Sequence, residues 1–70
     1  MAQYWQGKNP EHCDLCADPI RNVFIDGKTF KGPWATMDEK CHRNFGVGLG
    51  TGKGQKYEKQ ADGSWLKVEG

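Results

Sequence analysis

The chain has 70 residues, 36% of them hydrophobic, and a formal net charge of +1. A chain of this length is too short for more than one domain. Its three cysteines exclude a complete intramolecular disulfide framework, because an odd number leaves one thiol without a partner. No apolar run approaches the length that spans a bilayer. So little apolar material predicts that something besides packing, such as a metal ion, stabilises the fold.

Residues 1–11 are polar apart from Tyr4 and Trp5, and we expect a partly ordered lead-in to the single domain of residues 1–70. The lead-in lacks the basic region and apolar stretch of a signal peptide. The few cysteines are typical of a reducing compartment. We therefore expect a cytoplasmic protein without a membrane partner.

Cys13 and Cys16 form a C-x-x-C pair, which is typical of the first half of a zinc knuckle. Two intervening residues allow the backbone to turn and to aim both sulfurs at one point. A thioredoxin-like redox pair requires a βαβ context, which the following residues do not supply. The pair therefore predicts one structural Zn²⁺.

Residues 22–31 predict a β-hairpin, because Asp26-Gly27 between apolar runs is a strong two-residue turn pattern. This turn would set Ile25 opposite Lys28.

Residues 37–45 predict a short helix. Thr36 and Glu39 fit a capping box, and Gly46 is a natural stop. Cys41, 25 residues after Cys16, falls near the start of this helix, where backbone N–H groups favour thiolate. A knuckle, a hairpin and a short helix around one metal predict a small α+β domain of treble-clef type.

The fourth zinc ligand has three candidates: Asp38, His42 and His12. Asp38 lies three residues before Cys41 and shares its helix face, whereas His42 points away by roughly 100°. Imidazole, however, is a commoner partner of three thiolates than carboxylate. We favour Asp38 narrowly over His42, and place His12 last because it adjoins Cys13.

Residues 46–54 have a glycine at every second position, which predicts a tightly turned loop. The loop is not a P-loop, since Val47 and Gly54 stand where that motif requires glycine and serine or threonine. Its backbone can approach a phosphate closely, with Lys53 and Lys56 beside it. Equally, the glycines can be structural.

The end of the chain predicts a second hairpin, in which Gln55–Gln60 and Ser64–Glu69 flank Ala61-Asp62-Gly63, with Asp62-Gly63 as the turn. This register sets Tyr57 opposite Val68 and Lys59 opposite Leu66. We expect most of the large aromatic side chains to belong to the core, because the apolar content leaves none to spare; these are Trp34, Phe45, Tyr57 and Trp65.

The segments CDLC, FIDGKTFKGPWATM, DEKCH and FGVGLGTGKGQKY, within about residues 13–57, resemble a group of small zinc-binding proteins encoded by tailed bacteriophages. In that group the position that matches Asp38 is usually a cysteine, which supports Asp38 as a replaced ligand. The resemblance implies a treble-clef-like fold, a phage origin and the cytoplasm of a host cell. It implies no activity.

We expect a non-catalytic zinc module that binds nucleic acid through basic side chains on and around the glycine-rich loop: Lys40, Arg43, Lys53, Lys56 and Lys59. The alternative is a protein–protein interaction module that modulates a host enzyme or assembles with other phage proteins. An enzyme is disfavoured, because no Ser-His-Asp set, catalytic carboxylate pair or open zinc site can be assembled. We accordingly expect no small-molecule substrate.

Overall fold

The computed structural model describes residues 2–70, which form a small α+β domain with one short helix and a four-stranded antiparallel sheet. The elements are β1 (Val23–Lys28), β2 (Trp34–Met37), α1 (Glu39–Phe45), β3 (Gly54–Lys59) and β4 (Trp65–Glu69). The strands lie in the order β2-β1-β3-β4. No helix within residues 2–70 is both long and apolar enough to cross a membrane.

The chain forms a first hairpin, but from β1 and β2 rather than within residues 22–31, so both the predicted second strand and the turn predicted at Asp26-Gly27 are wrong. Strand β1 runs straight through these residues, and the chain reverses after it, so that Ile25 lies opposite Met37 rather than Lys28. Gly27 instead pairs with Gly54 of β3. A Cβ atom on Gly27 would lie 3.2 Å from the carbonyl oxygen of Lys53, so this glycine permits a close backbone approach rather than a turn.

The predicted helix is confirmed, but it begins at Glu39, and its N-cap is Asp38 rather than Thr36. Thr36 cannot cap a helix because it belongs to β2. The helix ends at Phe45, and the Gly46 N–H caps it by donating to the carbonyl of His42. A Cβ atom at position 46 would overlap the His42 ring, which explains the glycine. Because α1 has only seven residues, it depends on tertiary contacts.

The second hairpin is confirmed with a register that differs by one residue. Tyr57 lies opposite Lys67 rather than Val68, and Lys59 lies opposite Trp65 rather than Leu66. The loop between the strands is short and ends on Gly63, whose φ is +88°. The N–H of Gln60 donates to the carbonyl of Ser64 at 2.7 Å, so the loop has three residues, 61–63, instead of the predicted two-residue turn Asp62-Gly63, and the register shifts by one.

The two faces of the sheet carry separate apolar layers. Successive residues of a strand point to opposite faces, so Ile25 and Phe24 of β1 belong to different layers. Ile25 packs with Met37, Cys13 and Cys41 on the face that α1 covers.

An aromatic layer covers the opposite face. Phe24 stacks on Tyr57 with ring centroids 5.0 Å apart and meets Trp65 edge-on at the same distance. Trp5 contacts both Phe24 and Tyr57. The expectation of core positions is therefore confirmed for Tyr57 and Trp65.

The N-terminal segment lies along β4 and carries Trp5 over the aromatic layer. The backbone N–H of Trp5 donates to the carbonyl of Trp65 at 2.9 Å, and the N–H of Lys67 donates to the carbonyl of Gln3 at 2.7 Å. The indole N–H of Trp65 also donates to Asn9 Oδ1 at 2.8 Å. The outer edge of the sheet is thereby hydrogen-bonded at these positions.

Candidate metal centre

Four side chains converge between the knuckle and α1: Cys13, Cys16, Asp38 and Cys41. Each offers one ligand atom, and these atoms all lie within 4.8 Å of one another. Around a tetrahedral zinc ion, with Zn–S near 2.3 Å and Zn–O near 2.0 Å, neighbouring ligand atoms lie about 3.5 to 3.8 Å apart. A cluster whose ligand atoms lie within 4.8 Å of one another is compatible with one metal ion, and it contains the four residues that the sequence favoured.

The knuckle is a tight turn with a left-handed residue at its end. The N–H of Ala17 donates to the carbonyl of Cys13 at 2.9 Å, and the N–H of Leu15 approaches Cys13 Sγ at 3.4 Å. Ala17 has a φ of +64°, which is unfavourable for any residue with a Cβ atom. The backbone thus accepts local strain in order to bring the two sulfurs together.

The knuckle is anchored to the edge strand β2. The N–H of Asp14 donates to the carbonyl of Thr36 at 2.8 Å, and the N–H of Thr36 donates to Asp14 Oδ2 at 2.9 Å. Since Asp38 follows β2 directly, these hydrogen bonds fix the position of Cys13 and Cys16 relative to Asp38.

Asp38 has two roles, one for each carboxylate oxygen. Oδ1 accepts the helix-capping hydrogen bond from the N–H of Cys41 at 2.7 Å. Oδ2 lies 3.2 Å from Cys16 Sγ and faces the cluster. The N–H of Cys41 lowers the pKa of Asp38, with smaller contributions from neighbouring thiols and Lys40. Asp38 is therefore anionic at neutral pH.

The pKa values of the three thiols shift in different directions within the cluster. Burial raises the pKa of Cys41 strongly, and the neighbouring Cys16 and Cys13 raise it further. Burial also acts on Cys13, but backbone N–H groups outweigh it and lower the pKa of that thiol. The N–H of Asp18 lowers the pKa of Cys16, yet Asp38 and burial together leave it raised. Without a cation, the cluster cannot hold all its groups as anions.

Of the two histidines, neither contributes a ring nitrogen to the cluster. His42 Nε2 instead lies 3.0 Å from the carbonyl oxygen of Gly48 and joins α1 to the glycine-rich loop. His12 is exposed on the strand-like segment that pairs with Pro19. The loop itself closes through bonds such as that from the N–H of Gly50 to the carbonyl of Gly54 at 2.8 Å.

The five cations predicted to bind nucleic acid do not share one surface. Lys40 pairs with Asp18 at 3.3 Å, and Lys56 pairs with Glu39 at 3.2 Å. Lys59 Nζ lies 5.9 Å from the ring centroid of Trp65, on the aromatic side of the sheet.

Arg43 and Lys53 are exposed at the end of the molecule that holds the glycine-rich loop. Among the five predicted cations, Arg43, Lys53 and Lys59 are those for which no ion pair is found within residues 2–70.

The structure adds a feature that sequence reasoning missed. Trp34 and Phe45, predicted as core residues, are 47% and 40% exposed, and Phe30 is 61% exposed. Phe30 and Phe45 border a groove of about 340 Å³ beside the knuckle. The sequence pattern that accompanies this groove is the absence of acidic residues near Phe30 and Phe45 in the chain.

No protein-family model, no curated protein and no solved structure matches this chain. The resemblance to zinc proteins of tailed bacteriophages therefore stays a prediction.

Proposed function

We propose that this protein is a non-catalytic binding module stabilised by one zinc ion. The supporting observation is the convergence of four ligand atoms on one point. Four protein ligands complete the tetrahedral shell of zinc and leave no position for a water or a substrate, which is typical of structural sites. Three thiolates favour zinc over the hard cations Mg²⁺ and Ca²⁺.

The treble-clef type is part of the same proposal. A knuckle supplies Cys13 and Cys16, a hairpin of β1 and β2 follows, and the start of α1 supplies Asp38 and Cys41. This order of elements around one ion supports the assignment. The further part of the proposal, that the module is not an enzyme, rests on the closed ligand set.

Metal analysis of the purified chain tests the zinc proposal. After refolding with excess Zn²⁺ and desalting, we expect one zinc per chain by elemental mass spectrometry. Cys16→Ser should reduce the zinc content. Asp18→Asn is the matched control, because Asp18 is acidic and close to the knuckle but lies outside the cluster. Less than half an equivalent of zinc in the unmutated chain would contradict the proposal.

We further propose that the target is nucleic acid. Residues 27–37 and 42–57 together contain five basic side chains and no acidic one, although the whole chain is nearly neutral. The five are Lys28, Lys31, Arg43, Lys53 and Lys56. The two segments are joined by hydrogen bonds, such as that from the N–H of Lys28 to the carbonyl of Lys53 at 2.8 Å. Glu39 lies against Lys56, but the other four cations have no ion pair within residues 2–70, and this local excess of positive charge supports binding to phosphates.

A salt titration tests this target. Four of those cations, all except the paired Lys56, would give a plot of log K against log salt with a slope of about −3 to −4. Lys53→Gln should reduce that slope by about 1, while Lys67→Gln on β4 should leave it unchanged. If no oligonucleotide binds at low salt, a protein partner becomes the better proposal.

A further inference from the structure

An apolar groove lies between the tip of the knuckle, the turn that follows β1, and the end of α1. Leu15, Phe30, Pro33 and Phe45 supply most of its walls, and Lys31 stands at its rim. The two phenyl rings are 61% and 40% exposed, which is unusual in a chain with so little apolar material.

Backbone hydrogen bonds fix the walls of the groove. The N–H of Phe30 donates to the carbonyl of Phe45 at 2.9 Å, and the rings lie 6.1 Å apart at an angle of 14°. Thr29 is buried and donates through both its N–H and its hydroxyl to the carbonyl of Pro33, each at 2.9 Å. The exposed ring faces are thus held before any partner arrives, which reduces the ordering cost of binding.

The lining of the groove contains one charged side chain, that of Lys31, and no acidic one, which suits an anionic partner. Phe30 and Phe45 both belong to the acid-free segments 27–37 and 42–57. Lys31 Nζ lies 6.0 Å from the ring centroid of Phe30, so a cation and an exposed aromatic face are presented together. All nine acidic residues of the chain lie outside these two segments.

We propose that this groove binds the bases of a single-stranded nucleic acid. Phe30 is the stacking platform, Phe45 supports it, and Lys31 contacts the adjacent phosphate. The combination of exposed aromatic faces with cations that follow the backbone is the usual means of binding single strands. This inference deepens the proposed nucleic-acid function and rests on it.

Two competing occupants fit the groove less well. In a duplex the bases are paired and stacked, so a phenyl ring on the protein surface cannot reach a base face. An acidic peptide would use the cations, but it needs only apolar contact from the groove and gains nothing from two parallel rings. The exposed ring faces therefore favour unpaired bases.

The experiment replaces aromatic rings while it keeps apolar contact. Phe30→Leu retains apolar volume and removes the flat face, and Tyr4→Leu is the control, since Tyr4 is a 45% exposed aromatic beside β4, on the opposite edge of the sheet. Binding of a fluorescein-labelled 12-nucleotide single strand and of the matching duplex is measured by anisotropy on the zinc-loaded proteins. Zinc content and circular dichroism verify that each variant is folded.

We expect Phe30→Leu to weaken single-strand binding roughly 5- to 150-fold, the range for loss of one stacked base, and Tyr4→Leu to leave it unchanged. The unmutated protein should prefer the single strand over the duplex. Equal binding of strand and duplex, with no effect of Phe30→Leu, would overturn this inference and leave nucleic-acid binding intact. Failure to bind either at low salt would overturn both.

Discussion

Replacement of Asp38 by asparagine separates its two roles. In the structure Oδ1 caps α1 through the N–H of Cys41, while Oδ2 faces Cys16 and the rest of the cluster. Asparagine is about as good an N-cap as aspartate, so Asp38→Asn keeps the cap but removes the anionic ligand. Asp38→Ala removes both. The pair of variants therefore distinguishes a metal ligand from a helix cap.

The expected size of the effect follows from the number of ligands. Structural zinc sites contribute about 10–16 kcal/mol at pH 7, so one of four ligands accounts for roughly 3 kcal/mol, or about a 100-fold loss of zinc affinity. Loss of the cap in Asp38→Ala should cost about 1 kcal/mol more in stability. Asp38→Cys, which completes a four-thiolate set, should bind zinc more tightly than the unmutated chain.

Competition with a chromogenic chelator measures these affinities, with Asp18→Asn as the control. If Asp38→Asn holds zinc as tightly as the unmutated chain, the carboxylate is only a helix cap and not a metal ligand. A larger loss in His42→Ala than in Asp38→Asn would reassign the fourth ligand to histidine, despite its contact with Gly48.

Three further outcomes are expected. Removal of the metal by a chelator should unfold the knuckle and α1 but leave the indole signals of Trp5 and Trp65 dispersed in proton NMR spectra, because the aromatic layer lies on the other face of the sheet. Simultaneous loss of all dispersion would contradict this. Zinc binding at pH 7 should release at least about two protons, because the pKa values of Cys16 and Cys41 are raised and both thiols are protonated at that pH. The affinity for zinc should therefore rise with pH, and calorimetry in two buffers of different ionisation enthalpy counts the released protons. Ala17→Gly should stabilise the zinc-loaded chain by about 0.5–1 kcal/mol, because its φ of +64° suits glycine; an unchanged or lower urea midpoint would refute the strain.

The metal cluster was accessible from the sequence because its spacing rules are local. Cys13 and Cys16 are separated by two residues, as a knuckle requires, and Asp38 and Cys41 are one helical turn apart. The structure places Asp38 at the N-cap rather than inside the helix, yet the i, i+3 relation still brings its carboxylate to the N–H of Cys41. A rule based on one helical turn therefore tolerates an error of two residues in the helix start.

The first hairpin could not be predicted in the same way, because Gly27 is required by a contact with a residue that is distant in the sequence. Asp26-Gly27 has the composition of a turn, but Gly27 is constrained by Gly54, which lies 27 residues later. A Cβ atom on Gly54 would lie 3.1 Å from the Cα of Gly27. Nothing in the residues around position 27 indicates that contact.

The aromatic residues were also beyond sequence reasoning, since composition does not say which ones are buried. Tyr57 and Trp65 lie in the aromatic layer, whereas Trp34 and Phe45 are exposed. The assumption that the small core needed every aromatic failed because Trp5, from the polar lead-in, covers Phe24 and Tyr57.

These corrections change what the metal does in this fold. The aromatic layer joins β1, β3 and β4 through Phe24, Tyr57 and Trp65 and contains no candidate ligand, so we expect these strands to stay together without an ion. A metal ion in the cluster would fix the opposite face. Leu15 lies between the ligands Cys13 and Cys16, and Phe45 ends the helix that begins beside Asp38.

Two walls of the groove therefore belong to the segments that carry the candidate ligands, and the third, Phe30, is joined to Phe45 by a backbone hydrogen bond. A seven-residue helix and a strained knuckle turn would not keep these positions alone. The candidate metal centre and the exposed aromatic groove thus depend on the same segments of the chain. Under the proposed function, a zinc ion in this cluster would act in binding by holding Leu15 and Phe45 at the spacing that keeps the face of Phe30 open.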